Sequence, residues 1–383
     1  MRLQPDVRLW RWLQLPELQW RREVTLRNAL AAVALLVLSA VTTSPALAGE
    51  VAAYEPRFGR LHPVIAVVGE NAGTELTDFV IPYGILSRSG AADVFAVATS
   101  AGSISMRPAL TIQPDFTVSS FDERFPDGAD YVVVPAVMSM DEKSPDILVD
   151  WIRTQAAKGA TIVSICDGAL IAAKAGVFKG HRATGHWATY AQRKRDFADT
   201  EWLENTRYVA DGKAISSAGV TAAIPLSVAL VEAIAGTERA RQVAHDIGLQ
   251  DWSSAHDSQQ FRLSFGVYSL AIRNWLLPTA EIGVPVAEGI DEIALALTAD
   301  AFSRTYRSRA YAVADSSAAV RTRHGLTVLP DRVAGKDKIP RRIQPALDST
   351  QPVLALDRAL ADITSLYGRR TARFVAMQLE YPQ

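Results

Sequence analysis

Residues 161–171 read TIVSICDGALI, and Cys166 within them is the only cysteine of the 383-residue chain. Thr161, Ile162, Val163 and Ile165 form the apolar, β-branched run of a buried parallel strand, and Asp167-Gly168-Ala169-Leu170 opens a helix directly behind it. The thiol therefore stands where a strand hands over to a helix. A cysteine in a first helical turn meets backbone N–H groups that lack intrahelical partners, together with the positive end of the helix dipole, and both favour thiolate. Gly168 and Ala169 are small enough for the chain to turn sharply and raise Sγ at the sheet edge, as in a nucleophile elbow. The same position also suits a buried structural thiol, and the residues of this stretch leave both readings open.

Around this joint the chain alternates two kinds of segment. Short apolar runs at 63–68 (PVIAVV), 93–98 (DVFAVA), 130–135 (DYVVVP), 160–165 (ATIVSI) and 213–217 (KAISS) read as strands, and amphipathic segments fall between them. A helix is expected over 145–158, with Ser144 as cap, Pro145 at the first helical position, Ile147, Trp151 and Ile152 on one face, and Gly159 as the stop. Strands alternating with helices predict an α/β fold, a parallel sheet with helices on both faces. Reactive groups in such sheets gather at the carboxyl ends of strands, where Cys166 lies.

Composition bounds the possibilities. With 49% apolar and 21% charged residues the chain is globular, with room for one large or two modest domains, and no apolar run reaches the length of a membrane span. Residues 1–28 hold six arginines against three acids, 29–41 (ALAAVALLVLSAV) are apolar, and Ala46-Leu47-Ala48 has the small-x-small pattern of a signal-peptidase site. Residues 1–48 read as an export signal, or as an anchor held by 29–41, which would put the protein in the periplasm or cell envelope. Membrane contact is expected only through this segment. Without it the net charge moves from −1 to −4, which argues against a nucleic-acid partner. A single cysteine closes no intrachain disulfide. No His/Cys/carboxylate cluster has ligand spacing and no phosphate-cradling glycine loop is present, so neither metal nor cofactor is expected.

The stretch SICDGALIAAKAGVFKGHRATGHW (164–187) resembles the elbow segment of the ThiJ/PfpI superfamily, within the class I glutamine amidotransferase-like fold, also described as a flavodoxin-like sandwich. It is most similar to the branch holding isocyanide hydratases and the amino-terminal domains of AraC-type regulators. GTELTDFVIPYGILS (73–87) resembles the family's first loop and helix, and SSAGVTAAIPLSVALVEAIAG (216–236) its penultimate strand end and following helix. The likeness covers about 62–252. It implies Cys166 as nucleophile or redox-active thiol, Glu75 as the carboxyl group bonded to it, and His186 of the family's T-H-W segment as candidate base. A carboxyl group in that place works best protonated, since it then donates to a thiolate instead of repelling it.

Departures from the pattern accompany the match. Where the family reads V-x-P-G-G this chain has Val134-Pro135-Ala136-Val137-Met138, so the backbone groups available for an oxyanion hole are those of Ala136 and Val137, with Asp167 and Gly168 facing them at the elbow. Asp167 also places a negative charge beside the sulfur, which opposes thiolate unless its side chain turns away to cap the helix.

An internal similarity spans the rest. FAVATSAGSISMRPALTIQPDF (95–116) and YAVADSSAAVRTRHGLTVLPDR (311–332), offset by 216, agree at nine of 22 positions without gaps. The same offset sets Gly73 on Gly289, Glu75 on Asp291 and Ser87-Arg88 on Ser303-Arg304, while ARQVA (240–244) recurs as ARFVA (372–376) at an offset of 132. Residues 280–383 thus read as a shortened, cysteine-free second copy, joined through a helical connector at 253–279 whose packing face would be Phe261, Phe265, Tyr268, Leu270 and Ile272. Lacking several strands, such a copy should pack on the complete one as an internal pseudo-dimer, or on another chain as in a homodimer.

Two functions fit these expectations. One is a cysteine-dependent hydrolase or hydratase acting on a small electrophilic molecule. The other is a redox-sensing or ligand-binding module whose thiol meets an oxidant. A DNA-binding tail is the weaker alternative, resting on a superficial likeness of FSRTYRSRAY (302–311) to a recognition helix.

Overall fold

The computed structural model describes residues 50–138, 147–261, 265–347 and 350–382. The expected export segment 1–48 and the cap residues Ser144 and Pro145 lie outside the described residues. Five of the strands read from apolar runs are present, as Val64–Gly69, Asp93–Ala98, Tyr131–Val134, Thr161–Ser164 and Ala214–Ser217. They stand in one seven-stranded sheet in the order Tyr208–Asp211, Ala214–Ser217, Thr161–Ser164, Tyr131–Val134, Val64–Gly69, Asp93–Ala98, Phe116–Thr117. All neighbours are parallel except the edge hairpin Tyr208–Asp211 with Ala214–Ser217, so the sheet is mixed, not wholly parallel. The central strand VIAVVG is buried at every position, as required of a strand with helices on both faces. This is the flavodoxin-like α/β arrangement.

Helix Leu76–Ser89 covers one face of this sheet, with Phe79, Ile81, Ile85 and Leu86 fully buried. Glu75 caps its start by accepting from the Asp78 N–H, and Gly90, at φ 62°, ends it in the left-handed conformation that glycine adopts without a Cβ penalty. The expected helix at 145–158 is described from Ile147 to Ala157, with Leu148, Val149, Trp151 and Ile152 on its buried face and Ile147 44% exposed.

Positions 216 apart take up the same structure. Val64–Gly69 corresponds to strand Ala280–Pro285, Leu76–Ser89 to helix Glu292–Ser303, Asp93–Ala98 to Ser308–Ala314, and Thr111–Gln113 to Thr327–Leu329. Asp115 accepts from the Ala96 N–H at 2.8 Å, and Asp331 from the Ala312 N–H at 2.7 Å. At the offset of 132, helices Ala223–Ala235 and Thr237–Ile247 correspond to Ala355–Tyr367 and Arg369–Gln378.

The contacts between these parts are reciprocal. Strands Thr111–Gln113 and Thr327–Leu329 pair antiparallel with Ile112 opposite Val328, so equivalent residues face each other across a local two-fold. Helices Leu76–Ser89 and Glu292–Ser303 pack with the carboxyl end of each at the amino end of the other. Arg88 pairs with the cap residue Asp291, and Arg304 pairs with the cap residue Glu75. Each arginine thus sits at a negative helix end beside a carboxylate at a positive one, a favourable arrangement for both dipoles. Gly84 permits the close approach, since a methyl group there would lie 2.8 Å from Ile293 Cγ1.

The connector departs from the expected packing. Its helix runs Phe265–Leu276, and Phe261, Ala271 and Asn274 are buried while Ile272 and Trp275 are each nearly half exposed. Asn274 Nδ2 donates to the Thr305 carbonyl at 3.1 Å, so a hydrogen bond, not an apolar stripe, decides which side turns inward. Residues 302–311 likewise finish one helix, turn, and begin strand Ser308–Ala314, which leaves no recognition helix there.

Candidate functional site

Cys166 follows strand Thr161–Ser164 at the point where Ile165 N–H still bonds to the Val134 carbonyl at 2.9 Å. Its φ is 56°, left-handed for a residue with a Cβ, and helix Gly168–Lys174 starts two positions later. Such a conformation costs about 1–2 kcal/mol and persists where the surroundings impose it. Here the constraint is the approach of Gly168 to the neighbouring strand: a methyl group on it would lie 1.9 Å from the Val134 carbonyl oxygen.

The thiol is buried, 5% exposed. Its sulfur, a carboxylate oxygen of Asp167 and a ring nitrogen of His186 lie within 4.8 Å of one another. This brings two of the three expected catalytic residues together. These three donors are also the one His/Cys/acid cluster with metal-ligand proximity among the described residues, which sequence spacing did not reveal because one member comes from a separate loop. Asp167 Oδ1 is already bonded by the Thr189 hydroxyl at 2.5 Å, and His186 Nδ1 accepts from the Ala188 N–H at 3.4 Å.

Glu75 occupies a different place from the one expected. Its carboxylate accepts from the Asp78 N–H at 2.5 Å and from the Thr77 hydroxyl, and it pairs with Arg304. Among the charged groups around the sulfur, Asp78 bears on it most, ahead of Asp167, Glu75 and Glu380. Asp78 was missed because Glu75 and Asp78 share the first turn of one helix, and spacing alone does not say which points at the sheet. Asp78 Oδ2 accepts from the Ala136 N–H at 3.1 Å, while its buried Oδ1 has no hydrogen-bond partner.

The expected oxyanion donors are largely engaged. The Ala136 N–H is held by Asp78, and the Gly168 N–H donates to the Ile165 carbonyl at 2.8 Å. Val137 forms an isolated antiparallel bridge with Thr74. Asp167 makes no side-chain cap bond; it turns to Thr189 and stands 3.9 Å from the buried Arg193. Arg193 in turn binds the carbonyls of His186 at 2.7 Å and Gly185 at 3.1 Å, fixing the loop that carries the imidazole.

Electrostatics corrects the expectation of a stabilised thiolate. Burial, followed by Asp78, Asp167, Glu75 and Glu380, pushes the Cys166 thiol well above its ordinary range. A helix of seven residues offers too small a dipole to offset desolvation and four nearby acids. Burial also raises Glu75 well above the usual carboxylate range and pushes Asp78 up to about 7, the Ala136 N–H and Arg304 opposing the latter shift. Asp78 is therefore poised to hold or release a proton near neutral pH.

A fourth group was invisible locally. Glu380, 2% exposed, enters from the carboxyl-terminal segment, with Oε1 3.9 Å from His186 Nε2 and Oε2 3.3 Å from His256 Nε2.

A strand-to-helix cysteine under positive φ thus stands beside a histidine loop, with an acid of the first helix bearing on it. The DJ-1/PfpI family model matches residues 64–233. That stretch is a DJ-1/PfpI family domain. Isonitrile hydratase of Pseudomonas putida is 34% identical over 97 residues, 25% of this chain and only 40% of that protein. Protein dj-1beta of Drosophila melanogaster is 27% identical over 176 residues, 45% of this chain and 90% of that protein; its crystal structure aligns at a TM-score of 0.44 and 24% identity over 50% of this chain and 100% of that one. The HTH-type transcriptional regulator CdhR of Pseudomonas aeruginosa is 30% identical over 117 residues, 30% of this chain and 34% of that protein. The DJ-1/PfpI domain thus accounts for about half of this chain, with relatives among hydratases, DJ-1 proteins and regulators.

Proposed function

We propose that this DJ-1/PfpI protein is a cysteine-dependent enzyme of the hydratase or hydrolase type, acting on a small, uncharged electrophile such as an isocyanide, aldehyde or amide. The observation that carries the reading is the strained Cys166, held within 4.8 Å of His186 and Asp167. Since the thiol rests protonated, attack and proton loss are coupled. Sγ bonds to the electrophilic carbon as its proton passes to His186 and on to the substrate atom that takes the electron pair: the carbon of an isocyanide, the oxygen of an aldehyde or, for an amide, the nitrogen of the departing amine. Water then adds to the sulfur-bound carbon and the thiol leaves, recovering a proton. A sulfur 5% exposed admits only small substrates.

The raised thiol favours this reading over a redox sensor, because peroxide oxidises thiolate, the form this site disfavours. Reciprocal contacts at the 216 offset and matching helices at the 132 offset support 280–383 as a shortened second copy docked as an internal partner, and 1–48 enters the proposal as an export signal or anchor. Turnover of a panel of small isocyanides, aldehydes and amides should fall at least 100-fold in Cys166→Ser, as expected when a nucleophile is removed. Equal turnover by the variant would refute the assignment.

A further inference from the structure

The carboxyl-terminal segment reaches the thiol site through one residue. Glu380 follows helix Arg369–Gln378 with φ 51°, a left-handed conformation that a non-glycine residue adopts at a cost of about 1–2 kcal/mol. At the 132 offset its counterpart is Gly248, which ends helix Thr237–Ile247 with φ 85°. Where one helix ends in a glycine, the other therefore ends in a strained glutamate.

That side chain has a built receptacle. Its Oε1 accepts from the Trp187 N–H at 3.1 Å and its Oε2 from the Gly219 N–H at 2.8 Å, while the Thr221 hydroxyl binds its carbonyl at 2.8 Å. Gly219 makes the room, since a methyl group there would fall 2.4 Å from Glu380 Cγ and Cδ. Although burial alone would raise the carboxyl group, the His256 ring 3.3 Å away and the Trp187 and Gly219 N–H donors hold it below the usual range, so it is an anion.

We infer that Glu380 is a positioning residue for His186, making the carboxyl-terminal segment part of the thiol site. His186 Nδ1 accepts from the Ala188 N–H, which leaves the ring proton on Nε2, 3.9 Å from Glu380 Oε1. A buried carboxylate there orients the ring and supports the positive charge it gains when Nδ1 exchanges its long bond from the Ala188 N–H for the proton of Cys166. The inference rests on the Cys166–His186 pairing proposed above.

The opposite signs of two effects make the test decisive. Iodoacetamide alkylation of Cys166 in the full-length chain at pH 7.5 is followed by intact mass for wild type, Glu380→Gln, His186→Ala and the double variant. If Glu380 were only a charge near the sulfur, its neutralisation would speed alkylation. A positioning role predicts about 10-fold slowing in Glu380→Gln and less than about 2-fold further change when it is added to His186→Ala, the coupling expected of groups acting as a unit. Faster or unchanged alkylation in Glu380→Gln, with His186→Ala slow, overturns this inference alone. No effect of His186→Ala overturns the underlying pairing. Should the glutamine variant not fold, ring-nitrogen NMR shifts of wild-type His186 still decide: a proton on Nε2 supports the role, and one on Nδ1 contradicts it.

Discussion

Gly168→Ala should destabilise the protein by at least about 3 kcal/mol, a large share of the stability of a typical domain. The added methyl group would stand 1.9 Å from the Val134 carbonyl oxygen and about as close as 2.9 Å and 3.0 Å to the carbonyl carbons of Val134 and Pro135. All three are backbone atoms of the adjacent strand and its extension, so no rotamer change relieves the overlap. Either the sheet opens or the elbow moves, and in both cases Cys166 loses its conformation. Gly176→Ala is the control: its φ is 85° but nothing lies within 4 Å of the new methyl group, so only the local backbone cost of about 1 kcal/mol applies. Chemical denaturation measures both, and a Gly168→Ala loss no larger than that of Gly176→Ala would show that the close approach is not structural.

Arg304→Met should cost about 3–5 kcal/mol at neutral pH, because it strips the cation from two buried carboxylates. Arg304 Nε donates to Asp300 at 2.7 Å, and its guanidinium also pairs with Glu75; these acids are 0% and 3% exposed. Methionine fills the space but leaves the charges. The deficit carries a pH signature with a definite sign. Glu75 is already raised by burial and by the Asp78 and Asp300 charges, and losing Arg304 raises it further. A carboxyl group raised in the folded state contributes fully below its unfolded value, about 4.3, and that contribution is lost as pH rises through the folded value. The variant should therefore approach wild type near pH 4 and fall behind toward pH 8 in thermal unfolding. A loss below about 1 kcal/mol, or one independent of pH, would contradict this account.

The fold was legible where the physics is local. Runs such as 64–69 and 161–164 announce buried strands because both faces are apolar, and the glycines behind helices mark their ends. The edge strand Tyr208–Asp211 went unread because YVAD is too short and mixed to carry a period. At the candidate site, motif and position singled out Cys166 and His186, which the structure brings within 4.8 Å of each other. Asp78 was not, since only packing decides which of two acids in a helical turn faces the sheet. Ala136 and Gly168 were expected to bind an oxyanion, yet their N–H groups answer to Asp78 and Ile165, bonds that depend on tertiary geometry. Glu380 lies too far along the chain for any local pattern to link it with the thiol. The thiolate expectation failed for a related reason: a helix-start position reveals the dipole, whereas the burial and the acids that outweigh it come from distant segments.

The central claim is a buried sulfur kept protonated by its surroundings. It is tested most directly by the pH dependence of Cys166 alkylation in the full-length chain, with wild type beside Asp78→Asn. The acids Asp78, Asp167, Glu75 and Glu380 bear on the sulfur in that order, against the guanidinium groups of Arg193 and Arg304, with the His186 ring beside it. The account predicts an alkylation midpoint well above the ordinary thiol value of about 8.5, moving to lower pH when Asp78 loses its charge. A midpoint at or below that ordinary value, unmoved in Asp78→Asn, would contradict it.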